Sequence, residues 1–445
     1  MITNISGFPE FLPKEQIAFN RIVDLIRKRF ELYGFSPLDT AAVEKVDTLL
    51  SKGNDNEIYG IHRLASEGDS MKRDLGLRFD LTVPLARYVG QHYGQLTFPY
   101  RRYHIAPVWR GERAQAGRYR QFYQCDIDIV GDGNLSHSYD AELLFIIQDV
   151  FKAIGLERFV IKLNNRSILT GLLRFLDVKD EVMLDVIRVI DKMDKITRSD
   201  FQNHLRSNGL SEHNISLILE LKEASKSGKE LLTYLNDLCS EKEYVLGFNE
   251  LEEVLRFGST FGIDQQSIRI DPTLARGLNY YTGTIFEVEL LDYPELGSIC
   301  GGGRYADLVG LSLNKKFPGV GMSIGISRLF PKLLESGAIK AEEESTAQII
   351  ITTQNARFMN QYAELASLFR KAGLNTELYL ENKPLGAQMK YAGKKGFTVA
   401  IIADQVEFDA DSVIIRDLRS GEQNLVSKVD MIEAVVGLMK PNNRI

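Results

Sequence analysis

After Pro13, apolar side chains recur at intervals of three and four residues, and the pattern stops at Gly34. Such spacing places one apolar stripe along a helix, and glycine commonly follows the last turn. The pattern therefore predicts a long amphipathic helix. The next segment, FSPLDTAAVE, is predicted to continue as a strand. The buried face of the helix would consist of Phe19, Ile22, Val23, Ile26, Phe30 and Tyr33.

Two apolar-rich stretches further along, HIAPVW and FYQCDIDIV, flank a polar segment between Gly111 and Gly117. Apolar runs bounded by a short polar, glycine-containing segment are typical of two strands joined by a hairpin loop. We therefore expect an antiparallel hairpin here, with a mobile basic loop at its tip.

Arginine is unusually frequent in this hairpin, since the stretch from Tyr100 to Gly131 contains six arginines and no lysine. A guanidinium group grips phosphate or carboxylate with two parallel hydrogen bonds and stacks on aromatic rings, whereas an ammonium group is a hydrated point charge. The alternative is a solvated basic hairpin that makes surface ion pairs. The arginines that fit recognition of a nucleotide are Arg101, Arg102, Arg110, Arg113, Arg118 and Arg120.

The character of the chain changes twice after this hairpin. From about Arg166 to Ile263 it consists of charged, helical segments such as DEVMLDVIRVIDKM, which predicts a helical insertion. After the acidic connection AEEEST, predicted strands in QIIIT, TELYL and TVAIIA alternate with helices, one of them around Tyr362 to Phe369. This alternation predicts a small α/β domain.

Length and composition narrow the class of protein. A chain of 445 residues exceeds what one hydrophobic core usually serves, so we expect two or three domains. Hydrophobic content of 44%, charged content of 26% and a net charge of −6 are typical of a soluble globular protein, so nucleic-acid contacts would need local basic patches. Without a signal-peptide pattern or a long apolar stretch, a cytoplasmic enzyme with no membrane contact is expected. The three cysteines lack metal-ligand spacing, so no metal site is predicted: Cys125, Cys239 and Cys300.

Three peptides are candidates for chemistry, and each has a structural alternative. In GLRFDLTVPLARY, Asp80 and Thr82 precede Pro84, a pattern that a helix cap would also explain. In TLARGLNYYTGTIFEVE, the paired Tyr280 and Tyr281 would point to opposite faces of an extended segment, yet a core strand with aromatic packing would give the same pattern. In GSICGGGRY, three glycines would let the backbone adopt positive φ and approach a ligand closely, although such runs are more often turns.

These peptides together resemble the histidyl-tRNA synthetase family of class II aminoacyl-tRNA synthetases. WRGERAQAGRYRQFYQCDIDIVG resembles motif 2, GVGMSIGISRL resembles motif 3, and RGLNYYT is similar to the histidine signature RGLDYYT, with Asn279 in place of aspartate. LRFDLTVPLAR and GSICGGGRY are similar to two further stretches of the family, and LGAQMKYAGKKGFTVAIIA resembles its anticodon-binding domain. The first helix and the segment after it resemble the dimer-forming motif 1, in which Ala41 stands where the family usually has a proline. In the motif 3 segment, Ser327 stands where the family often has an acidic residue.

The resemblance implies an α+β fold: a class II antiparallel-sheet catalytic domain with a helical insertion, followed by a small α/β anticodon-binding domain. It implies that the catalytic domain occupies residues 1–165 and 264–335, the insertion 166–263 and the anticodon-binding domain 346–445. In the family, the insertion leans on the acceptor arm of the tRNA.

The activity that the resemblance implies is histidine–tRNA ligation through a histidyl-adenylate. Arg110 and Arg276 would be the catalytic residues, with Arg110 on the α-phosphate of ATP and Arg276 between that phosphate and the histidine carboxylate. Arg118 and Arg328 would bind the outer phosphates, so the ATP-binding residues would be Arg110, Arg118 and Arg328. Mg²⁺ would be held largely by phosphate oxygens and water.

For histidine, the resemblance assigns Asp80, Thr82 and Gln124 to the α-amino group, and Asp128 and Tyr281 to the two imidazole nitrogens. The histidine-binding set also includes Leu81, Arg276 and Tyr280. Polar groups committed to both nitrogens would penalise other side chains, because those groups would be left buried and unpaired.

The remaining implied partners are tRNA(His) and a second copy of the chain. Arg113 and Gln115, in the hairpin loop, would contact the acceptor end of the tRNA, and the enzyme would be a cytoplasmic homodimer. Two alternatives differ in class: a non-catalytic synthetase-like regulatory subunit of ATP phosphoribosyltransferase, and an ATP-dependent ligase for another carboxylate. The presence of both a C-terminal domain and the RGLNYY signature favours the synthetase over the regulatory subunit.

Overall fold

The protein is described from a computed structural model, and the description covers residues 3–51, 58–63, 74–113, 117–224, 229–275, 281–307 and 315–439. The chain divides into two compact units. The first comprises Met1–Pro9 and Val23–Lys332, and the second comprises Glu10–Ile22 and Leu333–Ile445.

Helices form a large part of the described chain. Those before residue 262 are α1 (Pro13–Leu32), α2 (Val46–Leu50), α3 (Thr82–His92), α4 (Ser138–Ala153), α5 (Arg166–Phe175), α6 (Asp180–Asp191), α7 (Arg198–Ser207), α8 (Glu212–Ala224), α9 (Lys229–Leu238) and α10 (Lys242–Phe261). Those after it are α11 (Ile326–Glu335), α12 (Met359–Lys371), α13 (Leu385–Lys395), α14 (Gln405–Asp409) and α15 (Met431–Met439).

The strands form three sheets. In the first unit they are β1 (Ser36–Pro37), β2 (Val43–Lys45), β3 (Gly60–Ile61), β4 (Leu75–Leu77), β5 (Tyr100–Trp109), β6 (Gln121–Val130), β7 (Phe159–Asn165), β8 (Ile268–Ile270), β9 (Thr284–Leu290), β10 (Ser298–Tyr305) and β11 (Gly319–Ile324). In the second unit they are β12 (Ile349–Ile351), β13 (Thr376–Leu378), β14 (Val399–Ile402), β15 (Ser412–Asp417) and β16 (Gln423–Ser427).

The main sheet of the first unit has the order β1-β5-β6-β11-β10-β9-β7-β8. Its central pairs are antiparallel, and β5 and β6 pair in continuous register from Tyr100↔Val130 to Trp109↔Gln121. The predicted antiparallel hairpin is therefore confirmed. A smaller sheet, β2-β4-β3, lies in the same unit.

The predicted first helix is confirmed as α1, and its apolar stripe from Phe19 to Phe30 is buried, with Ile26 and Phe30 fully inaccessible. Tyr33 lies just beyond the end of the helix and is half-buried. Gly34 follows the helix with φ of +74°, a conformation that favours glycine. The single strand predicted after it is wrong. The chain instead forms β1, which pairs with β5, and then β2, which pairs with β4 in the smaller sheet. Pro37 ends β1 and has no N–H with which to extend the ladder.

The glycine run is neither a turn nor a loop, because Gly301 to Gly303 lie in the middle of β10. The expectation of positive φ at these glycines is also wrong, since none of the three adopts it. Close packing accounts for the glycines instead. A Cβ on Gly302 would lie 2.1 Å from the carbonyl oxygen of Gly321, and one on Gly303 would lie 2.6 Å from that of Thr284.

The region predicted as a helical insertion folds into helices α5 to α10. Helix α5 packs against α10 at two glycines: a Cβ on Gly171 would lie 2.4 Å from the Tyr244 nitrogen, and one on Gly247 would lie 2.8 Å from the Ile168 nitrogen. The first unit thus contains helices on a mostly antiparallel sheet, which confirms the predicted α+β class.

The second unit contains the predicted strand and helix alternation. Its sheet has the order β13-β12-β14-β15-β16, with parallel pairing among the first three strands and antiparallel pairing beyond β14. Helices α12 and α15 bury Phe369 and Val435 against Ile349, Ile401 and Val413 of the sheet. The small α/β architecture is confirmed, and the antiparallel strands β15 and β16 extend it.

Three further observations concern the described residues alone. None of the helices in that part of the chain is long and apolar enough to cross a membrane. Cys125, Cys239 and Cys300 are buried, and none of the three is in a disulfide. Within the same ranges, histidine, cysteine and acidic side chains form no group of three or more that could hold a metal ion.

Candidate active site

An acidic cavity of about 240 Å³ opens above the central strands of the main sheet. Strand β6 contributes Gln124, Asp126 and Asp128, because alternate residues of a strand point to the same face. The turn before α3 adds Asp80 and Thr82, the latter being the first residue of that helix. The wall is completed by Phe79, Arg110, Tyr281, Gly301, Tyr305, Gly321, Met322 and Ser323.

Asp128 lies at the floor of this cavity and is held from two sides. The guanidinium of Arg102, on the neighbouring strand β5, lies 2.5 Å from its carboxylate, and the Tyr305 hydroxyl donates a hydrogen bond of 3.1 Å to Oδ1. The side chain also needs Gly321 beside it, since a Cβ at that position would lie 2.0 Å from Oδ1. Asp128 is thereby fixed as a buried acceptor facing the cavity.

Burial raises the pKa values of three carboxyl groups in the cavity. It raises the pKa of Asp126 to about 7 and that of Asp128 to about 6, while the charge of Arg102 opposes both shifts. Burial also raises the pKa of Asp80, against the opposing effect of the Val83 backbone N–H and the charge of Arg110. A cavity with several buried carboxyl groups suits a ligand that brings positive charge or several hydrogen-bond donors.

Asp80 acts both as a helix cap and as a residue of the candidate site. Asp80 accepts a hydrogen bond of 3.0 Å from the Val83 backbone N–H at the start of α3, which is the capping contact, and its carboxylate also lines the cavity. The side chain of Leu81 is fully buried and packs against Ala106 and Val108. Its carbonyl oxygen accepts from Arg102. Leu81 can therefore meet a ligand only through its backbone.

Gln124 links the acidic cavity to its neighbour. Its Nε2 donates a hydrogen bond of 2.8 Å to the Ser323 hydroxyl, while its Oε1 is buried without a hydrogen-bond partner among the described residues. An unpaired buried carbonyl is costly unless a ligand completes it. Gln124 thus presents an acceptor to whatever occupies the site.

A second cavity, of about 290 Å³, adjoins the first and is lined by arginines. Arg110, Gln124, Gly301 and Ser323 line both cavities. Arg110 donates to the Phe79 carbonyl at 3.1 Å and lies 5.1 Å above the Phe122 ring, so its planar group is oriented before any ligand binds. The wall also contains Arg118, Arg328, Glu112, Gly117, Tyr119, Phe122, Ser298, Ile299, Cys300 and Gly325.

Only part of the arginine cluster faces this cavity, so the expectation that all six arginines fit a nucleotide is wrong. Arg101 pairs with Glu142 at 2.9 Å and lies over the Phe35 ring. Arg102 is buried against Asp128, and Arg120 donates to the Glu112 carbonyl. Neighbouring residues of a strand point to opposite faces, so Arg101 and Arg102 cannot share one ligand.

Several predicted residues lie elsewhere. Arg113 is exposed in the hairpin loop. Arg276, Tyr280 and Gln115 lie outside the described residues, so their predicted roles stay predictions.

Asp126, Tyr305 and Ser323 were not predicted as site residues, and Arg102 was predicted to bind a nucleotide instead. Arg102 and Tyr305 fix Asp128, and Asp126 and Ser323 flank Gln124. The two-residue alternation of β6 is the one signal that pointed to Asp126, since it places that residue on the face of Gln124 and Asp128. The others depend on contacts between distant strands.

Comparison with known proteins connects this chain to one family. A model of the family described as Histidyl-tRNA synthetase matches residues 7–376, and one described as Anticodon binding domain matches residues 346–438. A protein of Clostridium tetani named Histidine–tRNA ligase is 40% identical over 432 residues, which cover 97% of both chains.

Two solved structures extend the comparison. The crystal structure of histidyl-tRNA synthetase from Nostoc sp. PCC 7120 has a TM-score of 0.88 and 37% identity, covering 98% of this chain and 99% of that one. A structure from Bacillus halodurans, described as an ATP phosphoribosyltransferase regulatory subunit/histidyl-tRNA synthetase, has a TM-score of 0.72 and 21% identity, covering 88% of this chain and 96% of that one, and supports the fold alone. The family model matches most of the chain and the Clostridium tetani relative is 40% identical over nearly its whole length. This chain therefore belongs to the histidyl-tRNA synthetase family.

Proposed function

We propose that this protein is a histidine–tRNA ligase. It joins L-histidine to ATP, forming histidyl-adenylate and pyrophosphate, and then transfers histidine to the 3′ end of tRNA(His). The observation that carries the proposal is the shared wall of the two cavities, where Arg110 and Gln124 stand between a carboxylate-lined pocket and an arginine-lined one. That arrangement brings an amino acid and a nucleotide into contact.

In the first step, a carboxylate oxygen of histidine attacks the α-phosphorus of ATP and pyrophosphate leaves. Such a displacement needs positioning and neutralisation of charge more than it needs a proton-transfer group. Arg110, which lines both cavities, holds the α-phosphate, and Arg276 bridges that phosphate and the carboxylate. Preorganised cations at this point act mainly on the charge of the transition state.

Arg118 and Arg328 bind the outer phosphates of ATP. Support comes from the cationic lining of the second cavity, which suits phosphate oxygens. Mg²⁺ accompanies the nucleotide and is held largely by phosphate oxygens and water. Glu112 is the one carboxylate in the described wall of that cavity, so phosphate oxygens rather than protein side chains would supply most of the metal ligands.

Histidine occupies the acidic cavity. Asp80, Thr82 and Gln124 receive the α-ammonium group, while Asp128 and Tyr281 receive the imidazole nitrogens, with Tyr280 and the Leu81 backbone completing the pocket. The buried carboxyl groups and the unpaired Gln124 oxygen support this orientation, since a protonated amine donates to such acceptors.

The second step is transfer to tRNA. The terminal ribose hydroxyl attacks the carbonyl carbon of the adenylate and AMP leaves. Arg113 and Gln115 of the hairpin loop contact the acceptor end, and the α/β domain from residue 346 onward contacts the anticodon, as the match to the anticodon-binding model supports. The insertion of residues 166–263 contacts the acceptor arm, and the working enzyme is a cytoplasmic homodimer.

The regulatory-subunit alternative is less well supported. The structure described with that name is 21% identical, whereas the relative named Histidine–tRNA ligase is 40% identical across nearly the whole chain. The match to an anticodon-binding model also favours a protein that handles tRNA.

Charging of tRNA tests the proposal. Purified protein is incubated with ATP, Mg²⁺, bacterial tRNA and labelled histidine, and acid-precipitable label is counted. We expect label to accumulate on tRNA(His) and to require ATP. Absence of charging in a correctly folded preparation would contradict the proposal.

A further inference from the structure

Lys222, near the end of α8, connects the region predicted as a helical insertion to the main sheet. Its Nζ lies 2.9 Å from Oδ2 of Asp194, in the turn after α6, and 3.2 Å from Oδ2 of Asp271, which directly follows β8. The Asp194 side chain is 65% exposed, whereas that of Asp271 is 3% exposed. Removing one partner of a buried pair is costly, so the pair with Asp271 is the one expected to hold two elements together.

Asp271 organises the short segment that follows β8. Its Oδ1 accepts hydrogen bonds from the Thr273 backbone N–H at 3.0 Å and from the Thr273 hydroxyl at 2.6 Å, while its Oδ2 accepts from Lys222. The Leu274 N–H donates to the Asp271 carbonyl oxygen at 2.9 Å. One carboxylate thus holds the turn with one oxygen and binds α8 with the other.

Two further side chains hold the same segment. Nδ2 of Asn164, a fully buried residue of β7, donates to the carbonyl oxygens of Pro272 and Leu274, each at 3.0 Å. Arg166, the first residue of α5, donates to the carbonyl oxygen of Ala275 at 3.1 Å. The backbone of this segment is therefore fixed by the sheet and by the insertion together.

The segment leads directly to Arg276, because Ala275 is its neighbour in the chain. In the proposed reaction, Arg276 acts between the histidine carboxylate and the α-phosphate of ATP. A displacement of about 1 Å in a group that positions reactants can cost on the order of a hundredfold in rate. The contacts that hold the preceding backbone are therefore expected to affect the chemical step.

We propose that Lys222 is a positioning residue for the activation of histidine: through its ion pair with Asp271, the insertion holds the segment that leads to Arg276. This inference rests on the proposed function, and it gives the insertion a role in adenylate formation that needs no tRNA. Lys222 acts through Asp271 and the backbone that follows it.

Pyrophosphate exchange without tRNA tests this role. Histidine-dependent exchange is measured for wild type, Lys222→Met, Lys222→Arg, Asp271→Asn and the Lys222→Met/Asp271→Asn double variant. Rates are expressed per histidine-binding site, counted by calorimetry, so that misfolded molecules do not contribute. Asp194→Asn is the matched control, because it removes the exposed partner of the same lysine.

We expect Lys222→Met and Asp271→Asn each to lower kcat roughly tenfold or more and to change the KM values of histidine and ATP by less than about threefold, because Arg276 acts mainly on the transition state. The double variant should be no slower than the single ones, since both changes break one contact. Lys222→Arg should recover most of kcat, because its guanidinium also pairs with a carboxylate. Asp194→Asn should exchange as wild type does.

The outcomes separate this inference from the proposed function. A wild-type protein without histidine-dependent exchange contradicts the proposed function. If wild type exchanges but Lys222→Met keeps a normal kcat, or if Asp194→Asn is as slow as Lys222→Met, the proposed function stands and the positioning role of Lys222 is wrong. Should Lys222→Met not fold, Asp271→Asn decides the matter, because its amide oxygen can still accept from Thr273 while the charge that pairs with Lys222 is gone. A normal kcat in that variant would overturn the role.

Discussion

Arg102 on β5 and Asp128 on β6 form an ion pair that is almost completely buried, with 2.5 Å between Nη2 and Oδ2. The same guanidinium donates to the carbonyl of Leu81, in the turn that precedes α3. One side chain thus connects the floor of the acidic cavity to the segment that carries Asp80 and Thr82. The sequence predicts that the charge of Arg102 binds a nucleotide, but in the structure it pairs with Asp128 at the floor of the acidic cavity.

Replacing Arg102 with methionine should destabilise the fold strongly. The change leaves Asp128 buried without its counter-charge, and removing one partner of a buried pair costs about 3–5 kcal/mol. Arg101→Met is the matched control, since it alters the adjacent residue on the opposite face, where the pair with Glu142 is partly exposed and a loss of roughly 1–2 kcal/mol is expected. Equal losses in chemical denaturation would contradict the assigned role of Arg102.

Asp126 should make the stability of the unliganded protein depend on pH. Burial raises its pKa from 3.8 to about 7, so between these values the folded state binds one proton more than the unfolded state. The free energy of unfolding then falls as pH rises through that window. Asp126→Asn removes this dependence, so its melting temperature relative to wild type should be higher at about pH 8 than at about pH 5. A constant difference at both pH values would show that Asp126 titrates normally.

Removing the Tyr281 hydroxyl should weaken histidine more than ATP. Tyr281 lines the acidic cavity, and loss of a hydrogen-bond partner for a buried ligand nitrogen costs roughly 1–3 kcal/mol. Pyrophosphate-exchange kinetics would give the apparent constants of both substrates for Tyr281→Phe. Tyr293→Phe makes the same chemical change on a residue that lines neither cavity, and it should behave as wild type. A raised constant for ATP with histidine unchanged would assign Tyr281 to the nucleotide.

Arg328 should matter for ATP and not for histidine. It lines the arginine-lined cavity, where its Nη1 also donates to the Ser298 carbonyl at 3.3 Å. Arg328→Ala should raise the apparent constant for ATP roughly tenfold or more, as expected for a lost charge-assisted contact to phosphate. Lys332→Ala, one turn further along α11 and paired with Glu295, is the control. Equal effects of the two substitutions would point to a general loss of charge.

Local periodicity made much of the fold predictable. The apolar stripe of α1, the β5 and β6 hairpin, and the alternation of strands and helices after residue 346 all follow from patterns within a single segment. Gly301 to Gly303 were misjudged because the reason for those glycines lies in other strands. The Gly321 and Thr284 carbonyls leave no room there for a Cβ, and sequence order does not reveal such a contact.

The candidate site, like the fold, could be predicted from the sequence only in part. Asp80 of the FDLT segment, Gln124 and Asp128 of the motif 2 segment, and Tyr281 of the RGLNYYT segment line one cavity, although they are far apart in the chain. Too many arginines were assigned to the nucleotide, because composition does not show on which face of a strand each residue lies. Ser323 and Tyr305 were missed because their importance comes from hydrogen bonds across the sheet.

The central claim is that the two joined cavities activate histidine with ATP. The most direct measurement is histidine-dependent exchange of labelled pyrophosphate into ATP, assayed separately with each of the standard amino acids and without tRNA. We predict rapid exchange with histidine and only background exchange with every other amino acid, because in the proposed binding mode the carboxylates and Tyr281 pair with the imidazole and ammonium groups. Exchange supported best by another amino acid, or no exchange with any of them, would contradict the account.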